Sequence, residues 1–213
     1  MALSEAELLS FAAQITLPFK WSFQKDPVRW ILLGGLIVHK LVWEILKRKY
    51  QTPIVRAAEP SSLKRILKLI KVMALFALIV QTLFLDAFPI SNHPETMRII
   101  GVIVYFFGLV TAIVARLNMG KNWIDLEDYQ VLPEQSLVTN GLYSLIRHPI
   151  YAGDFLLLVG LELALNSWLV LGALLLIPIL YRQAFAEEEL LLKVFPEYEA
   201  YRARTKRFIP FIL

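Results

Sequence analysis

The sequence predicts an all-α integral membrane protein of about five transmembrane helices, closed by a C-terminal amphipathic helix. Three features of the 213-residue chain predict it. Hydrophobic residues make up 57% of the chain, above the roughly 45–50% expected of a soluble domain, and mean hydropathy is +0.57. Apolar runs recur at lengths that suit a hydrocarbon core about 30 Å thick. Basic residues crowd into one loop between two of those runs, as the positive-inside rule requires of a cytoplasmic loop.

Composition also excludes several function classes. The 22 basic and 18 acidic residues give a net charge of +4, too small and too scattered for a nucleic-acid surface, and no basic stripe alternates with aromatics. With no cysteine there is no disulfide, no thiolate metal site and no cysteine nucleophile. Three histidines, far apart in sequence, give no reason to expect a metal site.

Residues 1–27 form the first unit, an N-terminal interfacial segment. It opens with Glu5 and Glu7 rather than a basic start before an apolar core, so no cleavable signal peptide is expected. Phe11, Phe19 and Trp21 suit either an amphipathic helix lying in the membrane surface or plain packing. Residues 28–118 form the second unit, three spans with a basic loop. Residues 28–46 are long enough to span, although His39, Lys40 and Glu44 must then face protein or reach the interface. Residues 66–88 and 97–117 are cleaner apolar runs, parted by a turn at Pro89. Between the first two runs, residues 47–71 hold eight Lys and Arg against the single acid Glu59.

The third unit, residues 119–213, is expected to hold a functional loop, a membrane hairpin and the final helix. Residues 150–165 and 168–181 are the fourth and fifth runs, with Asn166-Ser167 as the tip between them. Counting from the basic loop puts the polar segment 118–149 and the C-terminal tail in the cytoplasm. Intramembrane acids Asp154 and Glu162 are functional candidates or partners for Arg116 or Lys40.

Two local patterns carry chemistry. In LVTNGLYSLIRHPIYAG, residues 137–153, Asn140-Gly141 turns the chain and Pro149 opens the next helix, where its missing N–H costs little. Arg147 and His148 therefore sit at a helix start, where unpaired N–H groups and partial positive charge favour polar or anionic ligands. The plainer alternative makes them interfacial anchors and makes Tyr143 and Tyr151 part of an aromatic belt. In the run that starts at Tyr181, Glu188, Leu191, Leu192 and Phe195 follow the i, i+3, i+4, i+7 spacing, which sets a carboxylate on an apolar stripe. Such a group needs a partner: Arg182, Arg147 or a cationic ligand. The alternative is a solvated acidic face.

Taken together, Gly141-x-Tyr143, Arg147-His148-Pro149-x-Tyr151-x-Gly153, a helical hairpin, Glu187-Glu188-x-x-Leu191-x-x-x-Phe195 and a following Tyr-x-x-Tyr resemble the isoprenylcysteine carboxyl methyltransferases and their phospholipid methyltransferase relatives. The resemblance covers roughly residues 116–210. It departs at Pro196, where the family usually has glycine, and at Tyr198, one residue early. It implies a helical bundle with a cytoplasm-facing pocket for S-adenosyl-L-methionine and a lipophilic or lipidated acceptor entering from the bilayer. By similarity Gln135, Ser136, Leu137, Val138, Tyr143, Arg147, His148, Pro149, Ile150, Tyr151, Glu187 and Glu188 contact the cofactor, and Arg182 and Glu187 are the catalytic candidates, with Arg182 toward the acceptor.

Methyl transfer from a sulfonium is an in-line displacement that needs no metal and no covalent intermediate, so positioning and electrostatic matching supply most of the rate. A carboxylate acceptor needs no general base; an amine needs one, for which Glu187, Glu188 or His148 is available. The expected function is carboxyl methylation of an isoprenylcysteine-like substrate, with methylation of a phospholipid amine or a thiol as the alternative. A membrane sterol reductase would want an Asp-rich segment where Glu187-Glu188-Glu189 stands. A non-catalytic scaffold or transporter lacks support, since the intramembrane charges are few and no inverted repeat is visible.

Overall fold

A computed structural model describes residues 19–21, 26–50, 62–123 and 135–212. Seven helices run along the described residues: α1 (Pro27–Tyr50), α2 (Ser62–Phe84), α3 (Glu95–Met119), α4 (Pro149–Ala164), α5 (Val170–Leu174), α6 (Ile177–Val194) and α7 (Tyr198–Arg204). A short antiparallel pair, β1 (Phe19–Trp21) with β2 (Leu85–Ala87), sets Phe19 opposite Ala87 and Trp21 opposite Leu85. Residues 19–21 are therefore extended, not helical; residues 1–18 and 22–25 of the expected N-terminal interfacial segment and residues 51–61 of the basic loop lie outside the described residues.

α1 starts where proline is cheapest, at Pro27, with the Asp26 carboxylate accepting the Val28 N–H at 3.0 Å, an N-cap arrangement. Lys47, Arg48 and Lys49 end it, cations where the helix dipole favours them. Arg29, buried on the first turn, closes the neighbouring helix: its guanidinium donates to the carbonyls of Thr82 at 2.9 Å and Gln81 at 3.1 Å and pairs with Asp86. Those carbonyls belong to the last turn of α2, where no helical partner remains. The second apolar run was expected to extend to residue 88; the helix stops at Phe84 because the chain turns there into β2.

The center of the bundle is the contact of α3 with α4, around Leu32, Leu36, Tyr105, Leu109, Leu157 and Leu161. Gly101 and Gly108 on α3 face Gly160 and Gly153 on α4 so closely that a Cβ on any of the four would overlap the opposite backbone. Small residues bring helix backbones together in this way where lipid offers no hydrophobic drive for association. Tyr105 bridges to α1, donating its hydroxyl to the Leu32 carbonyl at 2.7 Å.

Asn166 takes positive φ at the tip of the α4–α5 hairpin, and the tip meets the turn after β2. Asn166 accepts from the Ser91 N–H at 3.1 Å and donates to the Ser91 carbonyl at 2.7 Å, and Trp168 N–H donates to the Phe88 carbonyl at 2.9 Å. The two turns expected on one side of the membrane thus lie at one end of the bundle. Inside that end, buried Glu162 accepts from Gln81 at 2.8 Å, not from Arg116 or Lys40.

Two helical runs, Glu95–Asn122 and Val170–Val194, are long and apolar enough to cross a membrane, and Val72–Phe84 is a shorter apolar helix. Large apolar side chains cover the outside: Ile37, Val38, Leu41 and Ile45 on α1, Ile99, Ile103 and Phe107 on α3, and Leu171, Leu175 and Ile179 beyond the hairpin. An apolar exterior of this extent fits lipid, not water. The fifth run is interrupted between α5 and α6 just before Pro178, whose ring removes a helical hydrogen bond. α6 then continues without a break through Glu187 and Glu188, so the acidic pair rides on the same helix as the last apolar run and not on a separate amphipathic one.

Candidate functional site

Local chemistry aims the site residues inward. Gly141 takes a left-handed conformation, φ 58°, that L side chains resist, and a Cβ there would strike the side chain of Asn118. The Asn118 side-chain oxygen accepts the Leu142 N–H at 3.1 Å, which ties the turn to the end of α3. The 3-10 turn Gly141–Ser144 then buries Tyr143, and Tyr201 of α7 donates to the Tyr143 carbonyl at 2.7 Å. Burial pushes the Tyr201 phenol up to about 12, so it remains a proton donor. Burial, with the Glu187 carboxylate next in weight, holds the Tyr143 phenol well above its usual range. Replacing Tyr201 with Phe removes one hydrogen bond and leaves a buried carbonyl unmet, at a cost of about 1–2 kcal/mol; thermal unfolding in detergent measures it.

The C-terminal tail returns alongside this turn. Ile146 pairs with Lys206 in a parallel bridge; Arg147 N–H donates to the Lys206 carbonyl at 2.8 Å and His148 N–H to the Arg207 carbonyl at 3.0 Å. These two N–H groups, expected to face a ligand, are therefore taken by the chain itself.

Glu188 is the hub beneath them, with its side chain 1% exposed. It accepts from Arg147 Nε at 3.0 Å, from Arg207 Nε and the terminal guanidinium nitrogen at 2.8 Å each, and lies 3.1 Å from His148 Nε2. The Arg207 contact is a two-pronged fork, the strongest form of such a pair, and Glu188 in turn raises the Arg207 guanidinium further above its ordinary range. Arg147 also reaches the carbonyls of Arg202 at 3.2 Å and Thr205, which closes the end of α7. Arg182, one of the partners expected for this carboxylate, is exposed on α6.

Glu187 differs from its neighbour. Its side chain is 32% exposed, it accepts from the Tyr151 hydroxyl at 2.9 Å, and His148 Nδ1 lies 3.7 Å away. It opens on a cavity of about 390 Å³, within the range of roughly 300–1,000 Å³ usual for small-molecule sites. Gln135, Ser136, Leu137, Val138, Tyr143, Arg147, His148, Ile150 and Tyr151 share its wall. Pro149, Glu188 and Arg182 do not line it; Gln183, one residue beyond Arg182, does.

The wall also includes residues not named as expected cofactor contacts: Trp43 on α1, Trp123 shortly after α3, Asp154, Phe155 and Leu158 on α4, Leu180 on α6, and the motif positions Leu191, Phe195 and Tyr198. Phe155 and Leu158 follow Tyr151 at i+4 and i+7, a face a helical wheel would have shown. Asn122 holds the two sides of the partly described loop together, accepting the Ser136 N–H at 2.9 Å, while Arg116 sits over the Trp123 ring at 4.5 Å.

Comparisons with known proteins converge on this half of the chain. The family model for phospholipid methyltransferases matches residues 96–198. The chain is 30% identical over 128 residues to protein-S-isoprenylcysteine O-methyltransferase of Xenopus laevis, covering 59% of this chain and 44% of that protein. It is 39% identical over 102 residues to the cobalt-zinc-cadmium resistance protein CzcN of Cupriavidus metallidurans, covering 46% of this chain and 45% of that one. Among solved structures, the eukaryotic intramembrane Ras methyltransferase, isoprenylcysteine carboxyl methyltransferase, shares the fold with a TM-score of 0.59 at 23% identity, over 88% of this chain and 69% of that one. The chain spans less than half the length of these two curated relatives. The motif residues gathered around one cavity thus lie largely in the segment, residues 96–198, that is similar to the phospholipid methyltransferase family, on the fold of isoprenylcysteine carboxyl methyltransferase.

Proposed function

We propose that this chain is an integral membrane methyltransferase that uses S-adenosyl-L-methionine to methylate a lipophilic acceptor, in the first instance the carboxylate of an isoprenylcysteine-like substrate. The observation that carries this reading is Glu187: a carboxylate anchored by Tyr151 and open to a cavity large enough for a small-molecule cofactor. In this reading all five apolar runs cross the bilayer, the basic 47–71 loop marks the cytoplasmic side, and the cavity opens toward that side. Residues 1–27, 28–118 and 119–213 then serve as an interfacial segment, a three-span support and the catalytic region.

The wall fits the cofactor's chemistry. When bound, S-adenosylmethionine supplies an electrophilic methyl group on a positively charged sulfur. Glu187 is the anion that faces that charge, and its value rises in a site shielded from water. Glu188 does not compete for the cation, because Arg147, Arg207 and His148 already surround it; its work is to hold Arg147 and His148 in place. Gln135 to Val138 and Tyr143 bound the polar end of the cavity, and Phe155, Leu158 and Leu180 offer an apolar wall to a lipid chain. Arg182 stands outside the wall, so the reading rests on Glu187 and on positioning. An ionised carboxylate acceptor needs only alignment with the methyl group.

The test uses protein purified in detergent with methyl-labelled S-adenosylmethionine, offered a prenylcysteine analogue and a membrane lipid extract in parallel. The expected result is label on the prenylcysteine that mild alkali releases as methanol, the signature of a methyl ester. Label that survives alkali moves the reading to an N- or S-methyl product. Absence of transfer together with absence of donor binding by calorimetry overturns the reading.

A further inference from the structure

A second carboxylate, outside Glu187's hydrogen-bonded cluster, opens on the same cavity. Asp154 lies one turn beyond Tyr151 on α4 and lines the cavity among Phe155, Leu158 and Leu180. Its Oδ1 is 2.9 Å from Nε2 of His39, across 115 residues of sequence. The His39 ring stacks on Trp43 with centroids 4.0 Å apart, and Trp43 itself lines the cavity. His39 and Trp43 lie outside the segment that the family model matches.

An ion pair that only joined two membrane helices would be closed off, since exposure of its charge is what lipid penalises. Asp154 is not closed off: its side chain is 45% exposed, and among the described residues its Oδ2 accepts no hydrogen bond. One oxygen is held by His39, and the other belongs to a half-exposed side chain that lines the cavity. A carboxylate held in that way accepts a hydrogen bond from whatever polar head sits there.

We propose that Asp154 is an acceptor-recognition residue, positioned by His39 and Trp43, and that it selects acceptors carrying an N–H donor on or beside the nucleophilic group. This inference rests on the methyltransferase reading and narrows its substrate class. The amide N–H next to the carboxylate of a prenylated cysteine meets the requirement, and so does the amine of a phospholipid headgroup. A fatty acid or other plain lipid carboxylate does not. His39 acts through Asp154 and touches no substrate. A site built around a donor rejects the analogue that lacks it, because the acceptor, shut off from water by the bound ligand, is then left unmet.

The experiment compares N-acetyl-S-farnesylcysteine with S-farnesyl-3-mercaptopropionate, which has the same chain and carboxylate and no N–H, and adds phosphatidylethanolamine vesicles as a third acceptor. Wild type is expected to prefer the N–H compound by about tenfold or more in kcat/KM, the size of one charge-assisted hydrogen bond. Asp154→Ala should collapse that preference to less than about twofold while donor affinity by calorimetry stays as in wild type. Asp154→Asn, which keeps an oxygen acceptor, should retain part of the preference. His39→Ala should raise KM for the N–H compound with kcat little changed, and His39→Gln should restore it. Label on phosphatidylethanolamine that Asp154→Ala removes identifies the lipid as the source of the N–H; label confined to the prenylcysteine identifies the amino acid.

An unchanged preference in Asp154→Ala overturns the proposal. So does a loss of donor affinity, which would make Asp154 a donor ligand. If wild type transfers no methyl to any acceptor, the methyltransferase reading fails separately, and the two farnesyl compounds are then titrated as ligands. Tighter binding of the N–H compound, abolished by Asp154→Ala, still supports the recognition role; equal binding overturns it.

Discussion

Glu188→Ala is expected to lower stability by about 3–5 kcal/mol, the penalty seen when one member of a buried ion pair is deleted and its partners are left without an anion. The effect is large because Glu188 faces two guanidinium groups and an imidazole at 2.8–3.1 Å and because those groups belong to two separate parts of the chain. Arg147 and His148 precede α4, and Arg207 lies in the tail. Removing the carboxylate loosens all three at once, and the midpoint of thermal unfolding in detergent should fall accordingly. Glu187→Gln makes the opposite pattern. Its side chain is partly exposed and keeps an oxygen for the Tyr151 hydroxyl, so stability should hold while donor affinity by calorimetry drops more than about tenfold, the loss of one charge interaction in a water-poor site. A protein in which Glu188→Ala unfolds like wild type, or in which Glu187→Gln binds donor normally, has its two glutamates in the wrong roles.

Gly160→Leu should be about as damaging. Its Cβ would overlap the backbone of Tyr105 and the carbonyl of Gly101, and backbone cannot swing aside as a side chain can. Overpacking of this kind costs about 3 kcal/mol or more when the neighbour cannot yield, and here the neighbours are α3 itself. Since α3 and α4 support both the core and the cavity wall, separation of the two should also weaken ligand binding. Gly34→Ala is the control: open space surrounds that Cβ, and in a helix interior the change should be neutral or stabilise by about 0.5–1 kcal/mol. Parallel unfolding curves for the two variants decide the matter, and equal midpoints would remove the glycine contact from the account of the fold.

Much of this architecture is legible along the chain wherever it depends on nearest neighbours. Pro149 marks the start of α4, Asn140-Gly141 the turn before it and Asn166-Ser167 the hairpin tip, because each relies on a backbone preference of the residue itself. The apolar stripe through Leu191, Leu192 and Phe195 correctly places Glu188 in the interior. Its partners are less legible. Arg147 was among the expected ones, but Arg207 is brought in by a tail whose bridge to Ile146 has no local signature, and the basic tail reads equally well as a topology signal. The His39–Asp154 pair joins α1 and α4, a choice that packing makes and periodicity does not. The glycine contact does have a signature in the sequence: Gly101 and Gly108, like Gly153 and Gly160, are spaced by two helical turns, the repeat that keeps small residues on one face.

The tail bridge has a consequence for the order of events during synthesis. The seven described helices are made before Lys206 and Arg207, whose carbonyls receive the Arg147 and His148 N–H groups, and before the Arg207 guanidinium that grips Glu188. The described helices are thus free to insert and pack around an unfinished pocket, and the stretch that follows α7 acts as the latch that fastens it.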